Sequence, residues 1–169
     1  MADCVKKSID KTYSLWYTKD TKKDREVTMM NTLYTMVGLP ASGKSTYTEA
    51  HKECVVVSTD AIREELLGSA ENQERGAEVF AEAHRRVAQA LAEGHDVIID
   101  ATNVTRKARK QWTAHKARHV AVYVATDKEE CKRRNAQRQR HVPTDVIDRM
   151  SQRLTIPTED EGFDEVIIL

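Results

Sequence analysis

The sequence predicts an α/β domain of three layers, with helices on both faces of a parallel, five-stranded sheet. Short runs of β-branched and apolar residues alternate along the chain with longer amphipathic stretches, which is the order that βαβ units require. The short runs are apolar on both faces, as strands that helices cover on both sides must be. A chain of 169 residues is long enough for one domain with a substantial core.

The predicted elements follow one another in a regular order. Residues 74–93 form the clearest helix, because its apolar side chains recur on one face and Gly94 supplies a C-terminal stop. Asp127 and Glu130 form a capping pair for a later helix, and Pro143 opens the last one. The predicted strands occupy residues 33–37, 54–58, 96–100, 120–125 and 165–169.

Residues 1–28 do not share this pattern and form a predicted N-terminal extension, which leaves the domain itself at residues 29–169. Apolar residues between Val5 and Trp16 recur at near-helical spacing, so we expect a short amphipathic helix followed by a polar linker. We assign no chemical role to this extension.

Composition and charge restrict the class of protein. No stretch approaches the roughly 18 consecutive apolar residues of a membrane span, so no membrane partner is expected. The three cysteines lie far apart, which favours a reducing cytoplasm over a disulfide framework. The net charge is zero, but residues 49–93 hold ten acidic and five basic side chains, whereas residues 101–154 hold fourteen basic and five acidic ones. The basic half suits a polyanionic partner such as an NTP or a nucleic acid, although solvated helix faces give similar runs.

The stretch GLPASGKST, residues 38–46, fits the phosphate-binding pattern G-x-x-x-x-G-K-[ST] and lies between a predicted strand and a predicted helix. In this P-loop context the backbone curls so that successive N–H groups point at a triphosphate, beside the positive end of the helix dipole. Lys44 is expected to reach the β- and γ-phosphates, and the Ser45 hydroxyl to bind Mg²⁺. The residues expected to bind NTP here are Gly38, Ala41, Ser42, Gly43, Lys44, Ser45 and Thr46.

Two further strand ends carry polar residues at the carboxyl edge of the sheet, where open α/β domains place their sites. After the second strand, Asp60 and Arg63 are three residues apart and share a face if a helix begins there. They suit a carboxylate that accepts the proton of an attacking hydroxyl and a guanidinium that binds an anionic group of the acceptor. A helix cap with an ion pair across one turn explains the same spacing, and spacing alone leaves both interpretations open. After the third strand, Asp100 is placed to hold Mg²⁺ through water.

A basic run, KRRNAQRQR, covers residues 132–140. Arg134 and Arg138 are four residues apart and share a face of the helix that is predicted to run through both. They are placed to reach over a triphosphate as lid arginines, because guanidinium binds phosphate oxygens in two-pronged fashion. A solvated basic helix is the alternative.

Together these residues resemble the kinase domain of the phage and bacterial polynucleotide 5′-kinases. The resemblance covers roughly residues 32–169 and rests on motifs that occur in the same order. Their joint occurrence is far more specific than any one of them. The motifs are GLPASGKST from residue 38, DAIR from residue 60, IDATN from residue 99, RNAQR from residue 134 and VPTDVI from residue 142.

The resemblance implies an adenylate-kinase-like P-loop kinase fold with a helical arginine lid. It also implies transfer of the NTP γ-phosphate to a 5′-OH end of DNA or RNA. In this scheme Asp60 is the general base, and Arg63 is the ligand of the phosphate next to the 5′-OH nucleoside. Arg134 and Arg138 brace the triphosphate.

The resemblance carries several further expectations. Thr102 and Asn103 would lie near the acceptor, and the cofactors would be Mg²⁺ and an NTP donor, ATP or GTP. A phosphatase or ligase would act in the same pathway. The location would be the cytoplasm, or the cytoplasm of the host if the enzyme is encoded by a phage. Ala41 stands where many relatives have a second loop glycine, a change that is tolerated if its φ is negative.

Two rival functions remain open from the sequence. A P-loop kinase for a small-molecule hydroxyl, such as that of a nucleoside, sugar or antibiotic, would need a closed acceptor pocket. A polynucleotide kinase needs an open, basic approach to Asp60. A non-catalytic NTP-binding adaptor would bind nucleotide without acceptor-dependent turnover, and the pairing of Asp60 with Arg63 argues against it.

Overall fold

The computed structural model describes residues 30–70 and 74–169. The predicted N-terminal extension, residues 1–28, lies outside these described residues. Five parallel strands form one sheet in the order β2-β3-β1-β4-β5. The strands are β1 (Thr32–Val37), β2 (Val55–Ser58), β3 (Val97–Asp100), β4 (Arg118–Tyr123) and β5 (Glu165–Ile168).

Helices connect the strands and cover the sheet, as the sequence predicts. Two short 3-10 turns, Trp112–Ala114 and Glu159–Glu161, precede β4 and β5. The helices are α1 (Lys44–Ala50), α2 (Thr59–Leu67), α3 (Gly76–Ala92), α4 (Arg106–Lys110), α5 (Lys128–Ala136) and α6 (Thr144–Arg153). The three-layer α/β fold with a parallel five-stranded sheet is therefore confirmed.

The predicted strand bounds agree with the structure to within two residues. The largest difference is at β4, which begins at Arg118 rather than at residue 120 and ends at Tyr123. The extra residues pair with β1, where Thr32 lies opposite Arg118 and Leu33 opposite His119. Arg118 and His119 are polar, so the sequence does not predict a strand at these two positions. They belong to the strand because they pair with β1.

The prediction that every strand is buried on both faces is wrong for the two edge strands, β2 and β5, and Ile168 of β5 is 62% exposed. The central strands are buried almost throughout, with Leu33 and Val97 fully inaccessible. In β2, by contrast, Val55 and Val56 are 36% and 42% exposed. The side chains of β2 are more exposed because β2 is an edge strand and has a neighbouring strand on one side only.

Alternate residues of the strands point into two cores, one on each face of the sheet. Leu33 of β1 packs with Val79 and Val87 of α3 in the first core. Met36 of β1 packs in the second core, against which Tyr47 of α1 is also packed. Side chains thus pack against both faces of the sheet, and this packing supports the loops at its carboxyl edge.

A buried ion pair links α4 to the segment just before β5. Arg109 of α4 is fully buried and donates to both carboxylate oxygens of Glu161, at 2.8 and 2.6 Å. The same guanidinium donates to the carbonyl oxygens of Asn103 and Thr155. Burial of a paired charge is tolerated because each donor has an acceptor.

Candidate functional site

A cleft of about 880 Å³ opens at the carboxyl ends of the strands. Parts of the chain that are far apart in sequence form its walls: the P-loop, the start of α2, the segment after β3, and the connection from α5 to α6. The polar residues that line it include Lys44, Ser45, Asp60, Arg63, Asp100, Thr102, Asn103, Arg138 and Arg140. The structure therefore brings most of the predicted site residues into one place.

The P-loop connects β1 to α1 through residues whose backbone conformations favour glycine. Gly38 has φ 155° and Gly43 has φ 114°. A side chain at Gly38 would also meet its neighbours, because a Cβ atom there would lie 2.7 Å from Ser42 Oγ and 3.0 Å from the Val124 carbonyl oxygen. The Gly38 N–H donates to the Thr102 carbonyl oxygen at 3.0 Å, which fixes the loop to the end of β3. Both glycines are thus required by the shape of the loop.

The loop is expected to tolerate alanine in place of glycine at position 41 only if the φ of Ala41 is negative. The structure contradicts this expectation. The φ of Ala41 is 61°, in the left-handed region. Ala41 is also buried, at 5% exposure. A Cβ atom in this conformation costs about 1 to 2 kcal/mol, so the loop at this position is strained where a glycine would not be.

Lys44 is held inside the loop. Its Nζ donates to the carbonyl oxygens of Gly38, at 3.1 Å, and Leu39, at 2.7 Å. Burial lowers the pKa of Lys44 to about 8, and the nearby carboxylate of Asp100 opposes this effect. An ammonium has three protons to donate, so a bound phosphate oxygen can be added to these two contacts.

Asp100 and Ser45 bring hard oxygen donors to the same cleft. Burial raises the pKa of Asp100, while the positive charges of Lys44 and Arg138 act in the opposite direction. Mg²⁺ is bound by one or two such protein oxygens together with water and phosphate oxygens, so these residues fit it. Bound there, the ion would neutralise charge on the phosphates.

Arg134 and Arg138 lie in different surroundings. Arg134 is in α5, where its Nη1 donates to the Ser42 carbonyl oxygen at 3.3 Å and its Nε to Glu130 at 2.6 Å. Arg138 lines the cleft, whereas Arg134 does not. The predicted helix through both residues is wrong at its end, because α5 stops at Ala136 and Arg138 follows in the connection to α6.

Asn135 fixes the segment that follows the helix. Its side chain is buried, donates to the Val142 carbonyl oxygen at 2.8 Å and accepts from the Val142 N–H at 3.0 Å. These two bonds close residues 136–142 into a loop, named here the arginine loop because Arg138 and Arg140 lie in it. A buried apolar cluster that includes Cys131 of α5 and Ile147 of α6 supports the base of this loop.

Asp60 and Arg63 adopt the ion pair that their spacing predicts. Ser58 is the N-cap of α2 and Asp60 lies in its first turn, so Asp60 is not the cap. The Arg63 Nη1 donates to Asp60 Oδ1 at 2.8 Å and to the Ala70 carbonyl oxygen at 3.3 Å. Asp60 remains accessible, with a side chain 59% exposed.

Arg63, in contrast, is 7% exposed, and its Nε has no hydrogen-bond partner among the residues that the structure describes. A buried N–H without an acceptor costs about 1 to 3 kcal/mol. Since Arg63 lines the cleft, an anionic ligand is a natural source of the missing acceptor.

Thr102 and Asn103 also line the cleft, but Asn103 has a clear structural role as well. Its Nδ2 donates to the Met36 carbonyl oxygen at 2.9 Å, and its Oδ1 accepts from Trp112 Nε1 at 3.1 Å. Its φ of 45° is left-handed, which asparagine tolerates better than most residues. Asn103 thus braces the strand that leads into the P-loop, and a contact of Thr102 or Asn103 with an acceptor stays a prediction.

Sequence reasoning missed Arg140. Its Nη2 lies 3.5 Å from Asp60 Oδ2, across the mouth of the cleft. The only sequence signal was its place in the basic run, two residues after Arg138. Apolar side chains complete this part of the cleft, among them Phe80 of α3 and Met150 of α6.

In the described part of the chain, none of the helices has the length and apolar character that a membrane span needs.

The sequence profile of the AAA domain family matches residues 33–157. No curated protein gives a significant sequence match.

Solved structures of kinases share the fold. One is a protein of the Pnkp1/Rnl/Hen1 RNA repair complex, with a TM-score of 0.68 and 22% identity over 80% of this chain. This chain spans only 47% of the length of that protein. A fungal RNA kinase has a TM-score of 0.58 and 17% identity, over 84% of this chain and 75% of its own. A gluconokinase from Sinorhizobium meliloti has a TM-score of 0.56 and 16% identity, over 83% of both chains. At these identities the likeness shows the fold alone.

Proposed function

Because the chain belongs to the AAA domain family and has the fold of a P-loop kinase, we propose that it transfers the γ-phosphate of an NTP to the 5′-hydroxyl end of a polynucleotide. One observation carries this proposal. An accessible carboxylate, Asp60, and a buried arginine with an unpaired N–H, Arg63, line the same cleft as the P-loop lysine, Lys44.

The donor side of the proposed reaction follows from the P-loop and the arginine loop. Lys44 in its protonated form binds the β- and γ-phosphates, and Arg138 adds a second positive charge from the arginine loop. Arg134 holds the Ser42 carbonyl oxygen and so acts on the P-loop from outside the cleft. Ser45 and Asp100 would hold Mg²⁺.

The acceptor side follows from Asp60 and Arg63. The exposed carboxylate of Asp60 orients the attacking hydroxyl and accepts its proton, which is the task of a general base. Arg63 binds the phosphate that follows the first nucleoside, and this contact supplies the acceptor that its Nε lacks. A cleft of about 880 Å³ is at the large end for a single ligand, as the simultaneous binding of NTP and a nucleotide requires.

A small-molecule kinase is the rival, and the likeness to a gluconokinase as well as to RNA kinases leaves the acceptor class to experiment. The test is an assay of γ-phosphate transfer from ATP and from GTP, with Mg²⁺, to a matched panel. The panel contains 5′-OH DNA and RNA oligonucleotides, nucleosides, nucleoside 3′-phosphates, gluconate and other sugars. We expect the oligonucleotides and nucleoside 3′-phosphates to have the highest kcat/KM. A higher kcat/KM for gluconate, a sugar or an unphosphorylated nucleoside would exclude the proposal.

The likeness to a protein of an RNA repair complex supports one further part of the proposal. A 5′-phosphate end is a substrate for a ligase, and a phosphatase can prepare the opposite end. We therefore place the reaction within nucleic-acid end healing. Mixing the kinase with a ligase and a nicked 5′-OH duplex tests this directly, because sealing must depend on the kinase.

A further inference from the structure

We propose that His84 and His115 are positioning residues that make NTP binding sensitive to acid. Their contact holds Trp112 in place, and Trp112 in turn holds Asn103 beside the P-loop. Neither histidine lines the cleft, so the pair acts from outside the site. This role depends on NTP binding by the P-loop, which the proposed function also requires, and not on the chemical nature of the acceptor.

The histidine pair joins two elements that are distant in sequence. His84 lies in α3 and His115 directly after the 3-10 turn Trp112–Ala114, and His84 Nδ1 is 2.8 Å from His115 Nε2. The two rings are stacked, with centroids 5.1 Å apart. A hydrogen bond between two imidazole nitrogens needs one nitrogen with a proton and one without. The bond therefore survives the first proton that the pair takes up but not the second.

The groups around the pair decide where the second proton binds. Burial lowers the pKa of His115, and the charges of His84 and of His119 in β4 lower this pKa further. Lys116 adds a positive charge at the surface cavity that it lines together with His115. Among the described residues, no carboxylate contributes to this shift, and the side chains one turn from His84 on α3 are apolar. The pair therefore loses its hydrogen bond below the ordinary histidine pKa of about 6.5.

Trp112 connects the histidine pair to the nucleotide site. Its side chain is fully buried, and its ring centroid is 4.4 Å from that of His84. Its Nε1 donates to Asn103 Oδ1 at 3.1 Å, and Asn103 Nδ2 donates to the Met36 carbonyl oxygen at 2.9 Å. Met36 lies in β1, two residues before the P-loop begins at Gly38. A movement of Trp112 thus reaches the P-loop through two hydrogen bonds.

Asn103 has little freedom to absorb such a movement. It is buried, its φ is 45°, and its carbonyl oxygen accepts from Arg109 Nη1 at 3.1 Å. The preceding residue, Thr102, accepts a hydrogen bond from the Gly38 N–H at 3.0 Å. Because interiors are close-packed, a displaced side chain displaces its neighbours. Separation of the two histidines therefore disturbs the P-loop and weakens NTP binding.

The experiment measures the Kd of a non-hydrolysable ATP analogue with Mg²⁺ at pH 7.0 and at pH 5.0. The key variant is His84→Gln, because glutamine offers His115 a hydrogen bond but takes up no proton. Acid should raise the wild-type Kd about threefold to tenfold more than that of the variant, which is the usual worth of one hydrogen bond. The analogue, Lys44 and His141 titrate equally in both proteins, so their contributions cancel in this comparison. The matched control is His95→Gln, at an exposed histidine after α3, and it should respond to acid as the wild type does.

A second measurement observes Trp112 directly. In a Trp16→Phe background Trp112 is the remaining tryptophan, and its emission responds to the charge of the imidazole against its ring. The emission should therefore titrate in the acid range, and His84→Phe should abolish this titration while keeping an aromatic ring against Trp112. Because coupling between two sites is reciprocal, a saturating concentration of the analogue should move the midpoint to lower pH. A purely structural role of the pair predicts no such movement.

Equal acid responses of wild type and His84→Gln, or a Trp112 midpoint that the analogue does not move, would overturn the role of the histidine pair. A wild-type protein that binds no NTP at pH 7.0 would overturn this role and the proposed function together. If binding is acid-sensitive as described but no 5′-OH nucleic acid is phosphorylated, the histidine pair stands and the proposed function fails.

Discussion

Asn135 and Val142 exchange two hydrogen bonds, from Nδ2 to the carbonyl oxygen at 2.8 Å and from the main-chain N–H to Oδ1 at 3.0 Å. One side chain thus replaces a pair of main-chain bonds, as in the closing step of a turn. We call these two hydrogen bonds the Asn135 clasp. Because Asn135 is buried, at 3% exposure, the clasp is protected from water. The arginine loop therefore has a rigid base although its tip is exposed.

Asn135→Ala should loosen the arginine loop without dissolving the domain. We expect a loss of about 1 to 3 kcal/mol in the free energy of unfolding, from two broken hydrogen bonds at a buried position. Because Arg138 and Arg140 would lose their placement, kcat/KM for an oligonucleotide acceptor should fall about tenfold or more. Denaturant unfolding and steady-state kinetics measure the two effects. Asn135→Asp keeps the accepting oxygen but sets a buried carboxylate against the Val142 carbonyl oxygen, so its losses should be at least as large as those of Asn135→Ala. Wild-type kinetics for Asn135→Ala would rule out these two hydrogen bonds as a positioning device.

Asp60→Asn should affect chemistry far more than folding. The amide cannot accept the hydroxyl proton, so kcat should fall by about a hundredfold or more, the scale of general-base catalysis. Asp60 is 59% exposed, so NTP affinity and Tm should change little. Glu78→Gln is a matched control, because Glu78 also lies in the first turn of a helix and pairs with an arginine three residues away. Near-full activity of Asp60→Asn would remove Asp60 from the mechanism.

NTP affinity should weaken with rising pH because of Lys44. Burial lowers the pKa of Lys44 to about 8 in the free protein, and bound phosphates favour the charged form and so raise it in the complex. The Kd of a non-hydrolysable NTP should therefore be steady from pH 7 to pH 8 and rise by up to about tenfold per pH unit above pH 8, until the pKa of the complex is passed. Fluorescence titrations between pH 7 and pH 10 measure this. Lys44→Arg stays protonated throughout this range and should bind with little dependence on pH, and a flat wild-type profile up to pH 9.5 would contradict the pKa shift.

Gly38 and Ala41 should respond in opposite ways to exchange between glycine and alanine. Gly38→Ala places a Cβ atom 3.0 Å from the Val124 carbonyl oxygen and in a positive-φ conformation, so it should cost about 2 kcal/mol or more and abolish NTP binding. Ala41→Gly relieves a residue at φ 61°, which offsets the entropy cost of glycine. Its stability should stay within about 1 kcal/mol of wild type or rise. Thermal melts with and without NTP test both, and a destabilising Ala41→Gly would show that the Cβ of Ala41 makes compensating contacts.

Features that depend on neighbours in sequence could be predicted from the sequence. The P-loop pattern spans eight consecutive residues, and its placement between β1 and α1 follows from the flanking residues. Asp60 and Arg63 are three residues apart, so their ion pair follows once α2 begins at Thr59. Short-range geometry of this kind is set by helical periodicity and does not require knowledge of packing.

Features that join distant residues could not be predicted in this way. Arg140 reaches Asp60 across 80 positions, and Asn103 reaches the Met36 carbonyl oxygen across 67. The positive φ of Ala41 likewise results from the closure of the loop and not from the preference of alanine. In each case the packing of the sheet and helices decides which side chains meet, and periodicity carries no information about it.

The ion pair between Arg109 and Glu161 has a consequence for where the protein can be shortened. The part of the chain that matches the family profile ends at residue 157, before Glu161 and before β5. Expressing residues 33–157 alone would leave the fully buried guanidinium of Arg109 without the carboxylate of Glu161. It would also remove β5, which pairs with β4. An unpaired buried charge costs about 3 to 5 kcal/mol, a large share of the stability of an ordinary domain. The segment that matches the family profile is therefore shorter than the segment that packs as one domain, and a fragment for crystallisation or domain fusion should run through β5.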